Sequence, residues 1–232
     1  MNVEVNRGRA NWLFRIADNQ DEQSLASRMR SERFRRFQAL LEGCDRRPAR
    51  VLDAGGTSDF WRKHWHRMPP GTSVVLLNTL HEDRTDFPGL TLADGDVRQM
   101  DMFQEKEFDI CYSNSLLEHV GTQQDQLHAA QQIRRVARGY FVQTPNRHFP
   151  IEPHFLTLGW QYAPLSVRAY LLRKRAWGWV KNPGSLEEAR AIVQSIRLLN
   201  EEELRRMFPD GSIYREKIGP LTKSLVAWRA IS

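Results

Sequence analysis

The stretch Val51-Leu52-Asp53-Ala54-Gly55-Gly56-Thr57-Ser58-Asp59-Phe60-Trp61 constrains this chain more than any other. An apolar run ends in an acid, a glycine turn follows, and residues suited to cap a helix come next. A buried parallel strand turns into a helix in this way at the carboxyl edge of an open α/β sheet, where such folds bind ligands. The glycines let backbone N–H groups come close to a ligand. Thr57, Ser58 or Asp59 can cap the following helix. Asp53, at the strand end, can accept a hydrogen bond from a hydroxyl or an ammonium group. The plainer alternative is a tight strand-to-helix turn with no ligand.

A dinucleotide fingerprint requires G-x-G-x-x-G, with glycines that admit a pyrophosphate and close helix packing. From Gly55 this chain reads G-G-T-S-D-F, so the second and third glycines of that pattern are missing. An acid near a helix start disfavours a pyrophosphate and tolerates a cation. S-adenosylmethionine has no phosphate and carries a sulfonium, an ammonium and a carboxylate. The loop therefore suits it better than a nicotinamide dinucleotide.

The 232 residues suit a single α/β domain spanning 1–232, with a helical extension over 1–48 and an insertion over 147–199, or at most two small domains. A hydrophobic content of 41% supports a sizeable core. No apolar run approaches the length of a membrane span, and Met1–Phe14 has no apolar stretch like that of a secretory signal. Cys44 and Cys111 cannot form a disulfide framework or a zinc spacing. These features lead to the expectation of a cytoplasmic protein. The net charge of +6 permits an acidic partner without demanding one. Arg168, Arg173, Lys174, Arg175 and Lys181 fall in residues 160–182, which contain no acid.

Periodicity predicts a helix over 20–43 and strands at 50–54, 73–77, 90–93, 108–112 and 140–143. A polar helix is expected from Gln123 to Arg138, and further helices over Leu186–Asn200 and Glu201–Met207. From Pro164 a helix would place Leu165, Ala169, Leu172 and Ala176 on one face. An antiparallel pair, Ile213–Ile218 and Ser224–Arg229, closes the chain. The fold expected is a Rossmann-like, mostly parallel seven-stranded α/β sheet flanked by helices, with an inserted, partly helical lid.

This order of elements resembles class I S-adenosylmethionine-dependent methyltransferases, in the branch called methyltransferase type 11. VLDAGGTSDFW resembles the family's first motif. GDVRQM at Gly95–Met100 is similar to its acidic loop after the third strand, and FDICYSNSLLEHV at Phe108–Val120 to its fourth-strand motif. The resemblance implies S-adenosylmethionine as cofactor. It places Asp53, Gly55 and Gly56 beside the methionine moiety, Asp96 on the adenine amino group and Val97 on the ring. Ser113 and Asn114 would line the cofactor, although Asp96 can also cap a turn and the other two can satisfy a loop backbone. Two positions depart from the pattern. Thr57 stands where a second glycine is usual, with Gly56 one position early. Asn78 stands closest to the place where the family has an acid that binds the ribose hydroxyls, and Glu82 or Asp83 could substitute for that acid from the next turn.

Methyl transfer needs a base only when the nucleophile arrives protonated. His119, His148, Glu152 and His154 are the candidates, with His154, Glu152 and His119 expected to carry catalysis. Prolines hold 146–155 extended, so a metal site there is not expected. The acceptor expected is a small molecule or a glycan or lipid-linked molecule, methylated at oxygen. The basic and aromatic residues of 160–181 could rest on an anionic bilayer, peripherally at the inner membrane surface. A nucleic-acid methyltransferase is disfavoured, because Ser113-Asn114-Ser115-Leu116 is not an amino-methylation motif and Cys111 lies inside a strand. A non-catalytic methyltransferase-like binding protein is the other alternative.

Overall fold

The computed structural model describes residues 24–43, 49–79 and 87–231. Cys44, Glu82 and Asp83 lie outside the described residues, as do 1–23 and 44–48 of the expected extension. Two compact units are present. One comprises residues 36–149 and 191–231, the other residues 24–35 and 150–190. The segment 147–199 is thus divided between them.

The larger unit is built on a seven-stranded sheet: β1 (Arg50–Ala54), β2 (Ser73–Asn78), β3 (Leu90–Asp94), β4 (Phe108–Asn114), β5 (Ala137–Pro145), β8 (Ser212–Ile218) and β9 (Leu221–Arg229). Its strand order is β3-β2-β1-β4-β5-β9-β8. The first five strands are parallel, and β9 runs antiparallel to both β5 and β8. This is the expected Rossmann-like, mostly parallel α/β architecture. The central strands are apolar throughout because both faces are covered. Leu52, Ala54, Leu77, Cys111 and Val142 point to one side, where Ala129, Ala130 and Ile133 of the helix Gln123–Val136 meet them. Val51, Asp53, Leu76 and Tyr112 alternate to the other face. There Phe37 packs on Tyr112 with ring centroids 4.6 Å apart.

Local chemistry sets several boundaries. Thr122 and Asp125 form a capping box that starts the helix Gln123–Val136, and Asn200 and Glu203 do the same for Glu201–Met207. The first of these helices stops at Val136, short of the expected Arg138. Ala137 turns extended and opens β5 against Phe108. Ladder pairing with β4 thus recruits Ala137–Gly139 despite the poor strand propensity of Ala137 and Gly139. The helix expected over Leu186–Asn200 ends at Gln194. Backbone bonds from Arg197 to Glu118 (2.7 Å) and from Arg147 to Leu199 (2.8 Å) commit the rest of that segment to other elements.

In the smaller unit, a two-residue ladder pairs β6 (Ile151–Glu152) with β7 (Thr157–Leu158), a pairing absent from the expected elements. The helix Leu165–Lys174 follows and buries Ala169 and Leu172. Ala176, expected on the same face, lies beyond the helix end and is exposed. Arg175 is extended, and the Trp177 indole donates to the Leu171 carbonyl at 3.0 Å, taking one of the terminal acceptors.

Candidate functional site

In the larger unit, β2 and β4 lie on opposite sides of β1, so the chain reverses direction across the sheet at the carboxyl ends of β1 and β4. Open α/β sheets bind ligands at such a switch point. Two loops meet there. Gly55 has φ +80°, donates its N–H to the Leu77 carbonyl at 2.8 Å, and passes so near the next loop that a Cβ would lie 2.7 Å from Leu116 Cδ1. Only glycine meets both demands without strain. A Cβ on Gly56 would lie 1.6 Å from Asp53 Oδ2. The glycine at 56 therefore leaves room for the Asp53 carboxyl under the loop. Thr57 is exposed at the N-cap position of the helix Ser58–His64 and makes no side-chain cap bond.

Asp53 is buried, and its Oδ2 accepts from the Trp61 indole N–H at 2.6 Å. Its Oδ1 is buried with no hydrogen-bond partner among the described residues. Burial pushes the Asp53 pKa up to about 7 against the pull of the Trp61 bond. A buried acceptor without a donor is the arrangement a cationic or hydroxyl-bearing ligand would complete. Asn78 ends β2 and donates Nδ2 to the Gly56 carbonyl at 3.4 Å, a contact a carboxylate could not make.

Ser113 is fully buried and donates Oγ to the Ala54 carbonyl at 3.1 Å, fastening the end of β4 to β1. Asn114 ends β4, partly buried. Ser115 follows with φ +56°, a conformation rare for a residue with a Cβ, and donates Oγ to Gln143 Oε1 at 3.0 Å. Beyond β3, Asp96 accepts from the Arg98 backbone N–H at 2.8 Å and from the Arg98 guanidinium on both oxygens. The Arg98 hydrogen bond lowers its pKa from the ordinary value. Val97 is buried beside it. His119 is exposed, whereas its neighbour Glu118 is buried and accepts from Thr144 Oγ1 at 3.0 Å.

In the smaller unit, Glu152 and His154 form a tight pair. Glu152 Oε1 lies 2.7 Å from His154 Nδ1, and Oε2 accepts from the backbone N–H groups of His154 (2.8 Å) and Phe155 (2.7 Å). A carboxylate only accepts, so Nδ1 carries the hydrogen, and Nε2 is the nitrogen suited to exchange a proton. His148, in the larger unit, is exposed.

The sequence reading passed over Trp61 and Arg98. Arg98 could have been suspected from an Asp-x-Arg spacing that allows a local fork. Nothing in the sequence marks Trp61 as a partner of Asp53, because that contact depends on how the helix settles on the sheet.

Residues 72–142 match a family model described as a methyltransferase domain, from the start of β2 into β5. A comparison with curated protein sequences finds no match. Among solved structures, one described as a Zn-dependent alcohol dehydrogenase from Rhodobacter sphaeroides is 14% identical with a TM-score of 0.53, covering 85% of this chain and 90% of that one. The N-terminal domain of EvdMO1, solved in the presence of SAH and D-fucose, is 18% identical with a TM-score of 0.51, covering 86% and 83%. A protein from Bordetella parapertussis described as exported is 12% identical with a TM-score of 0.51, covering 89% and 68%. At these identities the likeness is one of fold. The dehydrogenase description stays with that protein, since Gly55–Phe60 lacks the three-glycine pattern.

Proposed function

We propose that this chain is an S-adenosylmethionine-dependent methyltransferase and that it methylates an oxygen on a small-molecule or glycan-type acceptor. The observation that carries this reading is the Glu152–His154 pair, with Nδ1 held at 2.7 Å by the carboxylate. A hydroxyl must lose its proton as it attacks, and an oriented imidazole can take it. The EvdMO1 domain that shares the fold was solved with a sugar present.

When bound, the cofactor supplies a methyl group activated on a sulfonium, and the protein's task is alignment. Asp53 would hold the ammonium group, with the Gly55–Gly56 turn beside it. Asn78 would meet the ribose hydroxyls, Asp96 the adenine amino group and Val97 the ring. Ser113 and Asn114 would form the wall at the end of β4. His154 would take the acceptor's proton, and Glu152 would fix its tautomer. His119 is the alternative base.

Two measurements test this reading. Radioactive methyl transfer from S-adenosylmethionine into cell-extract fractions is expected to label a nuclease-resistant small-molecule, glycan or lipid fraction. Label removed by nuclease would identify nucleic acid as the acceptor instead. Label in no fraction, from a protein that binds S-adenosylhomocysteine, would favour a non-catalytic binding protein. In the second, Asp96→Ala is expected to weaken S-adenosylhomocysteine about 10–100-fold by calorimetry, the worth of a hydrogen bond to a charged group. An unchanged affinity would assign Asp96 to its Arg98 turn alone.

Peripheral contact of residues 160–181 with an anionic bilayer belongs to the same reading. Among the described residues, no helix is long and apolar enough to cross a membrane. The helix Leu165–Lys174 leaves Val167, Tyr170 and Lys174 exposed, at spacings of three and four that share a face. Tyr162 and Trp179 are exposed as well, and the segment's charge is wholly positive. Aromatic residues with cations suit an anionic lipid surface. Flotation with anionic liposomes is expected to carry the protein at low salt and release it at high salt. Flotation that ignores salt, or none at all, would remove the membrane from this reading.

A further inference from the structure

Trp61 has no exposed surface and is boxed by aromatic rings. Phe60 lies at 5.5 Å, Tyr112 at 5.9 Å and Phe37 at 6.3 Å, all edge-on. The indole therefore has little rotational freedom, and its N–H is aimed at Asp53 Oδ2. A buried indole needs one acceptor, and a neutral amide or a backbone carbonyl would serve at far lower desolvation cost than a carboxyl. The carboxyl brings a second oxygen, buried and without a partner among the described residues.

The geometry points to Trp61 as a positioning residue that clamps one oxygen of Asp53 and so presents the other to the cofactor's ammonium group, coupling cofactor binding to loss of the Asp53 proton. This rests on the reading of the Gly55–Gly56 loop as the cofactor site.

The surroundings explain the coupling. Asp53 pairs in register with Leu76 on β2 and Tyr112 on β4, Gly56 covers it, and Trp61 reaches it from the following helix. Cys111 is a titratable neighbour that feels its charge, and burial, reinforced by Asp53, pushes that thiol up and keeps it neutral. The influences on Asp53 itself are burial and the Trp61 bond, and among the described residues no cation offsets the burial. The ligand-free carboxyl therefore holds a proton up to about pH 7. Its pKa is raised by folding, so the associated stability is present below the ordinary value of 3.8 and is lost as pH rises through about 7. An incoming ammonium favours the ionised form, so the proton leaves to solvent as the pair forms.

Calorimetric titration with S-adenosylhomocysteine, in buffers of different ionisation enthalpy, tests this without a variant. The parent is expected to release close to one proton at about pH 6 and almost none at about pH 8.5, with affinity falling roughly tenfold per pH unit below the bend. In Trp61→Phe, loss of the N–H raises the Asp53 pKa, so the bend is expected to move up by roughly 0.5–1 pH unit. Asp53→Asn, which keeps an acceptor for Trp61, is expected to bind weakly and without proton release. A folded Trp61→Phe that weakens binding equally at every pH would reduce Trp61 to a packing residue and overturn the proposal. Tight binding by the parent with no proton release overturns it as well, and leaves the cofactor reading standing. A folded parent that binds S-adenosylhomocysteine at no pH overturns both.

Discussion

Gly56→Ala is expected to abolish measurable binding of S-adenosylhomocysteine while the sheet stays folded. The added Cβ would lie 1.6 Å from Asp53 Oδ2 and 2.3 Å from its Cγ. Nothing flexible lies there to give way, because the carboxyl is short, buried and held by Trp61. Either the loop lifts off the end of β1 or the carboxyl rotates, and each move takes the Asp53 acceptor out of place. Overpacking of this kind costs about 1–3 kcal/mol, which lowers the melting temperature by roughly 2–12 °C in a chain of this size. Calorimetry beside a thermal melt separates the two effects. Retained affinity would mean that the acid under the loop is not part of the cofactor site.

His154→Ala is expected to lower kcat about 10²–10⁴-fold, the range for losing a general base, while leaving the dissociation constant of S-adenosylhomocysteine nearly unchanged. Glu152→Gln should give a smaller loss in kcat, since an amide can still accept at one atom but no longer carries the charge that stabilises an imidazolium. Equal losses in turnover and cofactor binding for His154→Ala would assign the histidine to structure. Because Glu152 also accepts two backbone N–H groups, from His154 and Phe155, circular dichroism of the Glu152 variant must accompany its kinetics.

Much of the fold was legible because the parallel strands are buried on both faces. Val51-Leu52 and Val74-Val75-Leu76-Leu77 are apolar without interruption, and such runs bounded by turn residues read as central strands. Element ends were less legible where the deciding partner was distant in sequence. Ala137–Gly139 joins β5 through pairing with β4, and β9 pairs from Tyr140 onward. The stretch after Gln194 gives up its helix to bonds with Glu118 and Arg147. In the site, Gly55, Gly56 and Asp53 stood out as a strand-turn-helix motif. The stretch 146–155, expected to be extended, instead turns back at residues 153–156 between β6 and β7, and this turn brings His154 onto Glu152, with Nδ1 at 2.7 Å.

The amino-acid sequence by itself determined the α/β class, the place of the glycine turn at the end of β1, and the acids and amides gathered at the strand ends. Local composition and periodicity carry that information, because burial on two faces and sharp turns each demand particular residue types. Only the tertiary structure decided what those residues do to one another. It laid Trp61 against Asp53, left one carboxyl oxygen buried without a donor, and gave Asp96 to Arg98 and Ser113 to the Ala54 carbonyl. These are pairings of side-chain direction and packing distance, and a buried polar atom acquires its chemistry from the few groups that desolvate it rather than from its neighbours in sequence.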